Sequence, residues 1–234
     1  MHILPLASRP LSLALLFLPS QIHAQGSDAI NRNLTLRFFT TTQDDSCDFG
    51  ATSQAITFTT ASIPVLAHCF DLADLFDGNA TSGFVNQSTN ILNSPGEYGI
   101  HWSLSNAEAY NASANYSSVL YRQHISNPNT KEQEPGSRAE RITTLYGGKG
   151  CTQIDPNDDK DILPWYGFSC WSEAQGSCGT TSYNIQSFTV QPRSPEAYWK
   201  CWVFAKNGQS GAVRVSGSLV AALLGTGLTV WLAL

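Results

Sequence analysis

The chain has 234 residues, 42% of them hydrophobic and only 13% charged, with 13 Lys and Arg set against 18 Asp and Glu for a formal charge of −5. That balance argues against a nucleic-acid partner, because phosphate recognition needs clustered cations and no basic run occurs. Charged residues fall well below the usual quarter, so solubility must come from Ser, Thr, Asn and Gln and from attached sugar.

The chain opens on an apolar stretch. Met1–Pro10 is mildly basic through Arg9, Leu11–Leu18 is apolar, and Ala24 puts a small residue before Gln25. Residues 1–24 read as a secretory signal, too short to span a bilayer. A secreted chain matures in an oxidising compartment, so its six cysteines, Cys47, Cys69, Cys151, Cys170, Cys178 and Cys201, are expected as three disulfides. Cys170 and Cys178 are close enough to clip a hairpin, and Cys47–Cys69 with Cys151–Cys201 would complete an uncrossed set; sequence does not choose among the pairings. No C-x2-C pair supports zinc. Five N-x-S/T sequons, at Asn33, Asn79, Asn86, Asn111 and Asn115, are acceptors for N-linked glycans, and the four between 79 and 115 predict a solvent-facing stretch.

Alternation of apolar and polar residues dominates the chain from Asn33 to Phe204. Leu34, Leu36 and Phe38 share one face of a predicted strand, with Thr35 and Arg37 on the other. Ile56 and Phe58 repeat the pattern, as do Ile100, Trp102 and Leu104 between His101 and Ser103. Further strands are predicted over 119–125, 142–146, 166–171, 183–190 and 198–204, all rich in β-branched and aromatic residues. Ser62, Pro64 and the helical spacing of Val65, Leu66, Cys69, Phe70, Ala73 and Phe76 predict one short helix over 62–76, with a strand as the alternative. Residues 126–138 (SNPNTKEQEPGSR) contain no apolar side chain and read as an exposed loop. Together these elements predict a mainly β fold over residues 25–210: an antiparallel β-sandwich or barrel-like domain with one short helix, stapled by disulfides.

No residue cluster singles out a catalytic or metal site, and no cofactor is expected. The run Asp155–Asp161 alternates oxygen ligands as calcium loops do, yet Lys160 and Tyr166 occupy the positions where such a loop needs Gly and Glu. His68, His101 and His124 lack a motif partner, and neither G-x-S-x-G nor H-E-x-x-H occurs. Glu97, Glu108, Asp71, Asp74 and Glu173 are all eligible for paired-carboxylate chemistry, so none is distinguished. His23 would be an N-terminal copper ligand only if cleavage followed Ile22, which is unfavourable. Trp199 and Trp202 fall on opposite faces of the strand over 198–204, so at least one is expected to face outward. They are the candidates for stacking on a glycan, although aromatics beside disulfides more often form a core.

The tail Leu219–Leu234 is apolar, uncharged and broken by Gly225 and Gly227; a small-residue run at Ser210–Ala212 and a short polar spacer precede it. Such a tail marks glycosylphosphatidylinositol (GPI) attachment, here at Ser210, with 211–234 removed; a retained span is the alternative, though it needs roughly 20 apolar residues.

Leader, tail, sequons and the segment Tyr146-Gly-Gly-Lys-Gly-Cys151 together resemble the GPI-anchored, cysteine-rich secreted glycoproteins of filamentous fungi. The resemblance is one of plan. It implies an address at the extracellular face of the plasma membrane or in the wall, the membrane as partner through the anchor, and cell-wall glycans as further partners. It implies nothing about catalysis. The expected role is that of a non-enzymatic surface glycoprotein in wall organisation, shielding or adhesion. The alternatives are a wall-polysaccharide hydrolase or transglycosylase and a lectin-like glycan binder.

Overall fold

The computed structural model describes residues 32–40, 48–50, 54–88, 98–158, 162–193 and 201–207. The leader, Cys47, Glu97, Asp159–Asp161, Trp199, Ser210 and the tail lie outside the described residues.

The described chain forms β1 (Leu34–Phe39), β2 (Ile56–Thr60), β3 (His68–Asp71), α1 (Leu72–Phe76), β4 (Ser82–Asn86), β5 (Gly99–Ser105), β6 (Ser118–Gln123), β7 (Arg138–Tyr146), β8 (Trp165–Cys170), β9 (Ser177–Thr180), β10 (Ser187–Pro192) and β11 (Ala205–Asn207). The strands make two antiparallel sheets, six-stranded β4-β5-β2-β1-β6-β9 and five-stranded β11-β8-β7-β10-β3. Neither sheet closes on itself, so the fold is a sandwich rather than a barrel. Among the described residues no helix is long and apolar enough to cross a membrane.

Period-two patterning decides which face each strand buries. Leu34, Leu36 and Phe38 point inward and are fully buried, together with Phe58, Ile100 and Val119 of the same sheet. They meet Phe70, Leu145, Phe168 and Phe188 of the other sheet in one apolar cluster. At its centre Phe58 lies 5.0 Å from both Phe70 and Phe188, ring centre to ring centre, and Phe38 lies 5.5 Å from Phe188.

One end of the interior is closed by polar groups instead. Arg141 of β7 is 1% exposed and donates through Nε to Ser62 O (2.6 Å), through Nη1 to Arg32 O (2.8 Å) and Gln123 Oε1 (2.7 Å), and through Nη2 to Ala61 O. Gln123 Nε2 donates to the Tyr121 hydroxyl (2.8 Å), which donates to Cys170 O (2.9 Å). Burial pushes the Arg141 pKa down and that of Tyr121 strongly up. This network joins both sheets, because Gln123 and Tyr121 stand on β6 and Arg141 on β7.

Three sequence expectations are corrected. The helix over 62–76 shrinks to Leu72–Phe76, because Phe70 is drawn into the aromatic cluster and residues 68–71 pair as an edge strand with β10. Asp71 then directs Oδ1 to Gly150 N (2.7 Å) instead of capping α1. The hairpin between Cys170 and Cys178 does not form, since β8 and β9 belong to opposite sheets. The disulfides are Cys69–Cys151 and Cys170–Cys201, and Cys178 is also disulfide-bonded. The strand over 198–204 is also displaced: within its described part, residues 201–204 carry no ladder pairing and strand structure starts at Ala205. Phe204, at a positive φ of 53°, makes the turn into β11. The loop over 126–138 joins β6 to β7, is exposed from Ser126 to Glu132, and holds a 3-10 turn at Lys131–Gln133.

Candidate functional site

A depression of about 350 Å³ lies on the outer face of the six-stranded sheet. Its floor follows from the alternation that builds the core. With Leu34, Leu36 and Phe38 turned inward, Thr35 and Arg37 of β1 must face out. Register then sets Thr59 and Arg122 beside Thr35, and Thr57 beside Arg37. Ser105 of β5 pairs with Thr57 and extends the row.

Phe49, in the connection between β1 and β2, lies across this face. Its N–H donates to Gln175 O (3.0 Å), and its ring packs against the small cluster of Phe39, Ala55 and Leu120. Two guanidinium groups lie over that ring, with Cζ of Arg122 at 4.0 Å and Cζ of Arg37 at 4.9 Å from its centre. Cations over an aromatic face are attracted by the ring quadrupole. Arg37 donates to Phe49 O (3.2 Å) and Asp48 O (3.4 Å), and Arg122 Nε to Ala174 O (2.8 Å). Burial, and secondly the neighbouring charge of Arg37, push the Arg122 pKa down. Asp48 aims its carboxylate at Gly50 N (2.9 Å). Among the described residues, hydroxyls of Thr35, Thr57, Thr59 and Ser105 and the side chains of Asn33 and Asn106 complete the lining. Thr35, Thr57 and Arg122 are buried beneath this cover, and Thr57 Oγ1 donates to Ala55 O (3.0 Å).

Sequence reasoning misses this site. The alternation places Arg37 on the outward face of its strand, but its proximity to Arg122 depends on β1 pairing with β6, which no local signal encodes.

Two smaller depressions, about 140 and 270 Å³, flank Tyr116, with no carboxylate among their described lining residues. Tyr116 stacks on Tyr110 at 5.6 Å.

Among the described residues, those eligible for catalysis do not converge. His68 is half-buried with its ring edge-on to Phe70 (4.6 Å), and burial pushes its pKa down. His101 stacks on Phe84 at 4.3 Å, and His124 Nδ1 lies 2.9 Å from Ser172 O. Among the described residues no histidine forms an ion pair, whereas Arg32 pairs with Glu140 at 2.8 Å. Asp155 Oδ1 accepts from Asn157 N (2.8 Å) in a local turn. Among the described residues no three His, Cys, Asp or Glu side chains gather as metal ligands.

Of the glycan-stacking candidates, Trp202 is 36% exposed, and Trp199 lies outside the described residues. Trp202 is outside any strand: its N–H donates to Ser169 Oγ (2.8 Å) and its carbonyl accepts from Ser169 N (2.9 Å). Its described aromatic neighbour is Trp165, at 5.6 Å and 52° between planes. The pair straddles Gly167, where a Cβ would stand 3.0 Å from each ring. The two rings meet as a notch rather than as one coplanar surface.

Asn79, Asn86, Asn111 and Asn115 are exposed and Asn33 is half-buried. Asn86 Oδ1 accepts from Ser88 N (2.8 Å) and Asn111 Oδ1 from Ser113 N (2.9 Å). In both sequons the amide oxygen is thus engaged by the backbone two residues on, in an Asx turn. Strand register puts Asn33 and Asn86 toward one end of the six-stranded sheet, whereas Asn111 and Asn115 follow the opposite end of β5.

No protein-family model matches the chain, and no curated protein or solved structure is significantly similar to it.

Proposed function

We propose that the protein is a non-enzymatic cell-surface glycoprotein, held at the extracellular face of the membrane by a GPI anchor at Ser210, where it serves in wall organisation, shielding or adhesion. The observation that carries this reading is the exposure of four sequon asparagines at both ends of a disulfide-bonded sandwich. N-linked chains at those positions would cover the ends of the sheet and leave its outer face open. The low charge content fits a surface solvated by sugar.

The test has two parts. Glycopeptide mass spectrometry of the secreted protein should find sugar at Asn79, Asn86, Asn111 and Asn115. Phosphatidylinositol-specific phospholipase C should release the protein from intact cells with a mature C-terminus near Ser210. A recovered peptide containing Trp231 would refute the anchor, and unmodified asparagines at all four sites would refute the shield.

A lectin-like role for the Trp-rich C-terminal third is the second reading, favoured by exposed Trp202 beside Trp165. Loss of glycan binding in Trp202→Ala would support it.

A further inference from the structure

We infer that the first N-acetylglucosamine of a glycan on Asn86 lies flat on the ring of Phe84 and forms a fixed part of the sandwich at its β4 corner. The inference rests on the reading of Asn86 as a glycosylated position and adds where its sugar goes.

Three observations carry it. First, β4 pairs with β5 in unbroken register, with Phe84 opposite His101 and Asn86 opposite Gly99. Alternation therefore puts Phe84 and Asn86 on one face of the strand, roughly 7 Å apart. Val85 and Ile100 turn the other way and pack into the core, whereas Phe84 takes no part in that cluster. Phe84 is thus an outward-facing aromatic, half-buried, beside an exposed asparagine.

Second, the ring leans toward Asn86. A Cβ on Gly99 would stand 2.7 Å from both Cε2 and Cζ of Phe84, so the ring covers the backbone directly across from Asn86. His101 stacks on the same ring at 4.3 Å. Covering a strand glycine is in itself a packing device, but it also holds the aromatic surface at the root of the glycan.

Third, the asparagine is oriented. Its Oδ1 accepts from Ser88 N (2.8 Å), and Nδ2, the atom that carries the sugar, makes no hydrogen bond among the described residues. Asn86 also differs from the other four acceptors. The residues two before Asn33, Asn79, Asn111 and Asn115 are Asn31, Asp77, Ala109 and Ser113, and none is aromatic.

A β-linked pyranose presents a face of axial C–H groups, which complements the negative face of an aromatic ring. The covalent tether makes the contact intramolecular, so a weak attraction suffices to hold it. β4 is an edge strand of the six-stranded sheet, and a sugar fixed beside it hinders the addition of another strand.

The test uses the full secreted chain. Glycopeptide mass spectrometry first establishes occupancy at Asn86, and endoglycosidase H then trims the glycans to one N-acetylglucosamine. Melting temperatures are compared for the trimmed wild type, Asn86→Gln, Phe84→Leu and the double variant. Removing the sugar should lower the melting temperature by about 2–4 °C more in the wild-type background than in Phe84→Leu. Asn111→Gln should show no such dependence on Phe84. If Phe84→Leu fails to fold, the wild type alone decides by nuclear magnetic resonance. The axial ring hydrogens of the Asn86-linked sugar should resonate upfield of the same hydrogens in the proteolysed glycopeptide, through the ring current of Phe84.

Equal losses in the two backgrounds, or axial hydrogens at their glycopeptide positions, would overturn the inference and leave glycosylation of Asn86 standing. An unmodified Asn86 in the mass spectrum would instead refute glycosylation at this site, and the inference with it.

Discussion

Replacing Arg141 by Met is the sharpest test of how this sandwich is held together. The guanidinium is 1% exposed and serves four acceptors: the carbonyls of Arg32, Ala61 and Ser62 and Gln123 Oε1. A buried acceptor that loses its donor costs about 1–3 kcal/mol. Ala61 is exposed and Ser62 half-exposed, so their carbonyls regain water, but Gln123 is fully buried and cannot. Arg141→Met removes the charge itself and leaves neutral acceptors. The relevant scale is thus about 1.5–3 kcal/mol for a hydrogen bond to a charged group, and the dry Gln123 Oε1 places the cost at about 3 kcal/mol. Gln123→Leu should cost less, about 1–2 kcal/mol, because Arg141 keeps three carbonyls and Tyr121 still donates to Cys170 O. The double variant replaces both partners with apolar groups and should be less destabilised than the sum of the singles by at least about 1 kcal/mol. Urea unfolding followed by tryptophan fluorescence gives these values from midpoints at constant slope. A cost below about 1 kcal/mol for Arg141→Met, or strict additivity in the cycle, would refute the view that this network clamps the sheets.

Three other outcomes are expected from the geometry. In the chain-entropy treatment, the Cys69–Cys151 bridge, closing a separation of 82 residues, contributes about 4.5 kcal/mol and Cys170–Cys201, closing 31, about 3.7 kcal/mol; the Cys69→Ala/Cys151→Ala pair should therefore lower the melting temperature more than Cys170→Ala/Cys201→Ala. The His68 pKa is lowered by burial, so the unfolded chain takes a proton near pH 6.5 while the folded chain resists it. Stability should thus be fully present above that pH and fall as pH drops below it, and His68→Leu should flatten that part of the melting-temperature profile. At Gly179 the Phe204 ring comes within 2.2 Å of where a Cβ would stand. Gly179→Ala should displace the ring and destabilise by about 1–3 kcal/mol in urea unfolding, whereas an unchanged midpoint would mean that Phe204 does not seal this edge.

Much of the sandwich is legible because burial on one face leaves a period of two in the sequence. β1, β2, β5 and β6 match the predicted segments within a few residues. The pattern signals β7 only from Ile142, since Arg138–Arg141 looks like surface; the buried Arg141 is hidden by its charge, and only its carbonyl cage makes the position tolerable. β4 carries Gly83 and has no buried residue, and β9 is four residues long with no apolar run, so neither leaves a clear pattern. Phe70 shows the opposite error: helical spacing and tertiary packing compete there, and packing against Phe58 and Phe188 wins. The cysteine pairing and the Arg37–Arg122 proximity share one cause of illegibility. Both depend on which strands become neighbours across long separations, and local sequence does not carry strand order. The exposed sequons, in contrast, are legible directly.

The Cys170–Cys201 bridge also determines how this fold would answer a mechanical load entering from the C-terminal side. Among the described residues β11 is zipped to β8 through three facing pairs, Ala205–Gly167, Lys206–Tyr166 and Asn207–Trp165. Pulling beyond Asn207 would unravel that ribbon at low force and free residues 202–207, a segment about 20 Å long when fully extended. Cys201 would then stop the peeling, because its covalent bond passes the tension to β8, which is laced to β7. The domain thus carries a short, re-zippable shock absorber in series with a strand that resists being pulled out.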